Sequence, residues 1–349
     1  MVEGAGLTAW PLDEPPDEER TAIFQAAHGL PTDEGNALVL REVFGGMDAR
    51  ASLPGVREAI GSWAPDVVLF ETASFAAPLA AEGAGLPAIH VGIGLARLIE
   101  TFLPHVVEPL GALRSDSGLA PDPDGERLLA TPFFTLTPEG LEDAAAPDPP
   151  VTHRFREPEG DPGALPDWWP DRDLPLVYLT FGSVAPSIPG FADLARAAIG
   201  AVADRPVRAL LTVGRQTDPA DLGPVPPNVR VERWVPQADV MPHAAAMVCH
   251  GGFGTVRAGL AAGIPMVVLP LFADQPYNAR RVAEIGAGIA LEGGPEAAAG
   301  LGEAIERILA EPSYRAEAAR VAERHRRLPP VEAAVDAARD LVAGAAGRA

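Results

Sequence analysis

The chain has 349 residues, 47% hydrophobic and 21% charged, enough for two globular domains with real cores. Its formal net charge of −21 at pH 7 weighs against nucleic acid or an anionic membrane surface as a partner, since both require concentrated positive charge. The lone cysteine, Cys249, rules out an intramolecular disulfide, and the lack of any lysine rules out Schiff-base chemistry and a P-loop.

The opening MVEGAGLTAW has neither the basic nor the apolar region of a signal peptide, and no apolar run reaches the ~18 residues of a membrane span. A soluble, cytoplasmic protein is predicted. From Trp10 to Glu19 the chain is rich in proline and acids and reads as loop. Val67-Val68-Leu69-Phe70 is a short strand of the buried parallel type. An Ala-rich helix over 74–84 and a strand at Ala88-Ile89-His90-Val91 complete a βαβ unit. Residues 12–60 and 92–130 carry no legible motif. A proline- and acid-rich stretch containing Trp168 and Trp169 follows, and residues 158–173 are predicted as an interdomain linker.

Beyond the linker, Leu176 to Phe181 is a buried strand ending in Gly182-Ser183. Further strands are expected at 208–213, 230–233, 246–250, 265–269 and 288–291. Helices are expected at 191–203, 255–262, 276–285 and 295–310. This alternation predicts an open, doubly wound parallel sheet, whose ligands bind beyond the carboxyl ends of the strands.

Three stretches fall at such ends. In Val248-Cys249-His250-Gly251-Gly252-Phe253-Gly254-Thr255 a strand enters a glycine-rich turn and then a helix. Backbone amides and the helix dipole there suit a phosphate, with His250 as a donor. A turn without any ligand is equally compatible with this segment alone. In Trp234-Val235-Pro236-Gln237 the indole offers a flat face to a nucleobase, although a buried Trp beside a Pro turn is the plainer account. In Leu269 to Asn278 the adjacent Asp274 and Gln275 suit vicinal sugar hydroxyls, and Asp274 also suits the N-cap of a helix opened by Pro276.

Taken in order, W-x-P-Q, H-G-G-x-G-T, G-x-P and P-x-x-x-D-Q-x-x-N-A resemble the donor-binding signature of the UDP-glycosyltransferase family, glycosyltransferase family 1. The likeness is closest to bacterial members that decorate antibiotics and other natural products. It implies a GT-B fold, with two facing Rossmann-like doubly wound domains. The expected division is 1–157 for the acceptor domain, incomplete at its start, and 174–330 for the donor domain. A final helix in 331–349 would cross back to the first domain. The resemblance also implies that Trp234 stacks on the base with Val235 and Gln237 at its edge. Gly182, Ser183, His250, Gly252, Gly254 and Thr255 would hold the diphosphate, and Asp274 and Gln275 the sugar. The reaction would be inverting hexosyl transfer from a nucleotide sugar to a small hydrophobic acceptor, with no cofactor and no metal.

Two departures stand out. Where many members carry a glutamate for the ribose hydroxyls this chain has Ala258, which leans toward a dTDP-sugar; a relaxed helix position gives the same residue. The resemblance begins near Val2-Glu3-Gly4, so the opening strand-helix-strand with its basic histidine is expected to lie ahead of residue 1. Ala27-His28-Gly29 does not replace it. The acidic partner of that histidine would align with Glu71. A sheet lacking that opening exposes apolar edges, which favours aggregation or pairing with a partner, a homodimer among the options. A donor-binding but silent homologue, or another GT-B enzyme such as a lipid glycosyltransferase or sugar epimerase, remain as alternative readings.

Overall fold

The structure, a computed structural model, describes residues 3–138, 140–142, 149, 151–158, 162–168, 173–188, 190–215 and 217–346. The chain divides into two compact units. One comprises Met1–Thr135, Ala146–Phe155 and Val331–Ala349, and the other Leu136–Ala145 and Arg156–Pro330. Residues 159–161 and 169–172 of the expected linker, Trp169 included, lie outside the described residues. Among the described residues no helix is long and apolar enough to cross a membrane.

The first unit opens with α1 (Asp17–His28), α2 (Thr32–Val39) and, after a π-helical stretch over Leu40–Asp48, α3 (Ala49–Trp63). The loop expected over Trp10–Glu19 yields to α1 at Asp17, because Asp17, Glu18 and Glu19 complement the positive end of the helix dipole. Then follow β1 (Val68–Glu71), α4 (Ala76–Gly83), β2 (Ala88–Val91), α5 (Leu98–Asp116), α6 (Glu126–Leu129), β3 (Phe133–Thr135) and β4 (Thr152–Arg154). The four strands are parallel, in the order β1-β2-β3-β4. Leu53, Leu79, Ile99, Val106 and Leu110 form the helical core beside them. Gly45 lets the π-helical stretch approach α5, since a Cβ there would meet the Val106 side chain at 3.0 Å. Along β1 only Phe70 is buried, and Leu69 is 52% exposed.

In the second unit β5 (Leu176–Thr180), α7 (Phe191–Val202), β6 (Arg208–Thr212), β7 (Val229–Glu232) and α8 (Gln237–Val240) lead to β8 (Ala244–Cys249). There follow α9 (Phe253–Ala261), β9 (Met266–Val268), α10 (Gln275–Glu284), β10 (Gly288–Ala290), α11 (Leu301–Ala310) and α12 (Pro312–Arg326). The last helix, α13 (Ala334–Ala346), belongs to the first unit. The helix expected over 295–310 is two elements. Gly294–Gly300 is a 3₁₀ helix between flanking glycines, and the α-helix proper begins at Leu301, where the apolar spacing of Leu301, Ala304, Ile305 and Ile308 starts.

All six strands of this sheet are parallel, in the order β10-β9-β8-β5-β6-β7. Every residue of β5 is buried, as expected of a strand with helices covering both faces. Leu141 and Glu142 join this unit through Arg281, whose Nε donates to Leu141 O at 3.1 Å and Nη2 to Glu142 O at 2.7 Å.

Candidate functional site

The chain runs outward from β5 to β6 and β7, then returns to β8 on the other side of β5. The strand order therefore reverses between β5 and β8, and in open α/β sheets the crevice at such a reversal receives ligands. The register pairs Thr180 with Cys249, so Gly182-Ser183 and His250-Gly251-Gly252 leave the sheet side by side.

His250 is 91% buried between these two turns. A Cβ on Gly182 would meet ring atoms Cε1 and Nε2 at 2.7 Å, and one on Gly252 would meet Cε1 at 2.9 Å and Nε2 closer still. Both positions must therefore be glycine for the ring to sit there. Burial pulls the His250 pKa down to about 4, the Thr180 backbone acting in the opposite sense, so the ring is neutral at pH 7. Helix α9 starts three residues later, with Gly252 at its N-cap and no side-chain cap. The first amides of a helix have no partner within it. Here they open beside the His250 ring, together with exposed Gly254 and buried Thr255. Ser183, on the β5 side, is exposed. Neighbouring Cys249 is wholly buried, its thiol pushed up to about 12, and takes no part as a nucleophile.

The loop after β9 is joined to this turn by a residue the motif spacing left without a role. Asn278, 2% exposed, donates from Nδ2 to Gly251 O at 2.9 Å and to Asp274 Oδ2 at 2.8 Å. Asp274 makes no side-chain cap to α10; its carboxylate reaches Asn278 one turn on. Burial raises its pKa, and the Asn278 hydrogen bond opposes the rise. Gln275 is buried, and its Oε1 accepts from Leu271 N at 2.9 Å and Phe272 N at 3.1 Å. Its carbonyl is thus occupied in shaping the loop, and its amide group is the part left to meet a ligand. Ala273, between them, has φ +56°, a left-handed conformation that costs an alanine about 1–2 kcal/mol.

Trp234 and Val235 follow β7, and Gln237 is the first residue of α8. The Trp234 ring is 52% exposed rather than buried beside its proline, which removes the plainer account of it. Arg215, to which the motifs assigned nothing, lies over the indole at 4.7 Å. The signal that could have found it is position: it follows Val213-Gly214 at the carboxyl end of β6, beside the Trp-bearing strand. On α9, Ala258 is partly buried, while Arg257 pairs with Glu157.

In the first unit Glu71 ends β1, and its Oε2 accepts from Ala73 N at 2.9 Å. Next to it, Thr72 Oγ1 lies 2.9 Å from His90 Nε2 and accepts from Ile93 N at 3.3 Å. His90 is stacked on Phe70 at 5.2 Å and buried, which lowers its pKa to about 4. His28 is the last residue of α1, which leads into α2 rather than following a strand. A cavity of about 200 Å³ between α4 and α5 is lined by Phe75, Leu79, Leu110 and Leu128, with the Glu82–Arg114 pair on one wall. It reaches Ala88, at the amino end of β2, and so opens at the end of the sheet opposite Glu71.

Residues 197–339 match the family model described as erythromycin biosynthesis protein CIII-like, C-terminal domain. The chain is 30% identical to L-demethylnoviosyl transferase of Streptomyces niveus, over 94% of this chain and 84% of that protein. It is 34% identical to the elloramycin glycosyltransferase ElmGT of Streptomyces olivaceus, over 79% of this chain and 69% of that protein. Among solved structures, the glycosyltransferase SnogD from Streptomyces nogalater superposes with a TM-score of 0.72 at 26% identity, covering 99% of this chain and 88% of that one.

Proposed function

We propose, from the premise that this chain belongs to the GT-B glycosyltransferases of antibiotic biosynthesis and moves a sugar to a natural-product acceptor, that its donor is a nucleoside-diphosphate hexose or deoxyhexose. We propose further that transfer inverts the anomeric centre and needs no metal. The observation that carries this reading is the reversal of strand order between β5 and β8, where Gly182, His250, Gly252 and the amino end of α9 converge.

The diphosphate would lie against the α9 amides, which oppose the charge that develops on the leaving group without a metal ion. Neutral His250 would donate one hydrogen bond to a phosphate oxygen, with Ser183 and Thr255 offering hydroxyls. Trp234 would carry the base, Val235 and Gln237 would border it, and Asp274 with the Gln275 amide would hold the sugar hydroxyls. The acceptor oxygen would attack the anomeric carbon from the face opposite the diphosphate as a general base takes its proton. Glu71 is the carboxylate we assign to that proton, either directly or by orienting the base.

Calorimetric titration of the chain with UDP and dTDP tests the donor half of this reading, and binding in the micromolar range is expected. No binding at millimolar nucleotide overturns it. Transfer from dTDP- and UDP-sugars to a panel of phenolic and polyketide acceptors, with the anomeric configuration of the product read by NMR, tests the rest. A retained configuration rules out inversion.

A further inference from the structure

Arg215 and Trp234 leave the carboxyl ends of adjacent strands, β6 and β7, whose register pairs Thr212 with Glu232. Both side chains are exposed, yet the guanidinium carbon of Arg215 stands 4.7 Å from the centroid of the indole. The two loops are fastened to each other. Arg233, next to the tryptophan, donates from Nη2 to Asp218 Oδ2 at 2.6 Å, and Asp218 Oδ1 accepts from Ala220 N at 3.1 Å. These bonds hold the Asp218 carboxyl below the usual range, the Ala220 amide foremost. The stack of Arg215 on Trp234 therefore stands on a braced pair of loops.

Arg215 also differs from three other arginines of this unit. Arg233 is engaged by Asp218, Arg257 by Glu157 and Arg281 by Glu284, whereas among the described residues no carboxylate pairs with Arg215. A planar cation resting on an exposed indole has the chemistry of half a base-binding sandwich. Guanidinium planes and aromatic rings both stack on nucleobases, and neither reads the base edge.

We infer that Arg215 is a nucleobase clamp: the base enters between the indole of Trp234 and the guanidinium of Arg215, which lifts by one ring thickness to receive it. The inference rests on the nucleotide-sugar reading above and adds a residue to it. With nucleotide bound, each covers one face of the base. Because stacking ignores the base edge, Arg215 raises affinity for uracil and thymine nucleotides alike.

Titration of the full chain and its variants with UDP and dTDP decides the matter. Arg215→Ala is expected to weaken both by about five- to thirtyfold, the range of a desolvated cation–π contact. Arg215→Lys keeps the charge and part of the cation–π attraction but loses the plane, and should recover only part of the loss. In a Trp234→Ala background, Arg215→Ala should cost less than in the parent, since the sandwich is already open. Parent-like or tighter binding by Arg215→Ala overturns the clamp, as does full rescue by lysine. A parent chain that binds neither nucleotide overturns the donor reading and the clamp with it; a parent that binds while Arg215→Ala is unaffected overturns the clamp alone.

Discussion

His250 and Gly182 face each other across the β5–β8 reversal so closely that any Cβ on the glycine would stand 2.7 Å from two ring atoms. Gly182 also has φ +75°, a conformation open to glycine and unfavourable for other residues. Two strands thus deliver one glycine and one imidazole to the same point, and each is there because the other is.

Gly182→Ala should therefore act twice. The left-handed backbone costs about 1–2 kcal/mol of stability, and displacing His250 would remove the phosphate hydrogen bond proposed for it. Thermal unfolding read beside nucleotide titration should show a modest drop in Tm with a larger loss of binding than His250→Ala alone. Undiminished affinity in Gly182→Ala counts against the packing argument.

His250→Ala should weaken nucleoside-diphosphate binding by about 1–3 kcal/mol, the scale of a hydrogen bond to a charged group. The neutral ring needs no proton from solvent, so the parent's affinity should not fall between pH 6 and 8 through titration of this residue. A binding curve that follows a group titrating near 6.5 would assign the ring a cationic role instead.

Gln275 separates fold from chemistry. Gln275→Ala strips the acceptor from the amides of Leu271 and Phe272, and should cost about 1–3 kcal/mol of stability. Gln275→Glu keeps an oxygen there and removes the amide donor, so Tm should stay near the parent's while kcat/KM for sugar transfer falls. If Gln275→Glu transfers sugar as well as the parent, the amide does not hold the donor.

Ala258→Glu should shift nucleotide preference toward UDP, by giving the ribose 2′-hydroxyl an acceptor where the parent has a methyl group. The parent is expected to bind dTDP at least as tightly as UDP. A tenfold parent preference for UDP, about 1.4 kcal/mol, argues against this role for the position.

Two of the three buried histidines, His90 and His250, set an acid limit on stability. His90 and His250 both titrate near 4 in the folded chain, against an ordinary 6.5, because burial disfavours the cation. As pH falls the unfolded chain takes up protons first, so the stability of each neutral ring is complete above pH 6.5 and is lost progressively between 6.5 and 4. Each shift corresponds to a loss on the order of 3 kcal/mol. His90→Gln removes one titrating group while keeping a polar partner for Thr72. Chemical denaturation from pH 7 to 4.5 should show a shallower decline for it than for the parent; parallel curves would remove His90 from the account.

The sequence by itself determined the strand–helix alternation of the second unit and the three motif stretches that carry the candidate site. Both are local signals: buried parallel strands read as apolar runs, and glycine turns and helix openings use few residue types. The helices of residues 17–63 and 98–116 escaped because their apolar spacing is broken, by Gly45-Gly46 and Pro54 in one case and by Pro104 and Pro109 in the other. Their packing against each other restores what the pattern lacks. Only the tertiary structure decided that Asn278 ties Asp274 to Gly251, that the Gln275 carbonyl serves the loop rather than a ligand, and that Arg215 lies on Trp234. The bonds of Gln275 to its own loop and of Asn278 to Asp274 are local, whereas the Asn278–Gly251 and Arg215–Trp234 pairs join residues far apart in the chain, so nothing in a linear pattern marks those two pairs. They meet because the order in which six parallel strands assemble brings their carboxyl ends together, and that order is set by the packing of whole helices on the sheet.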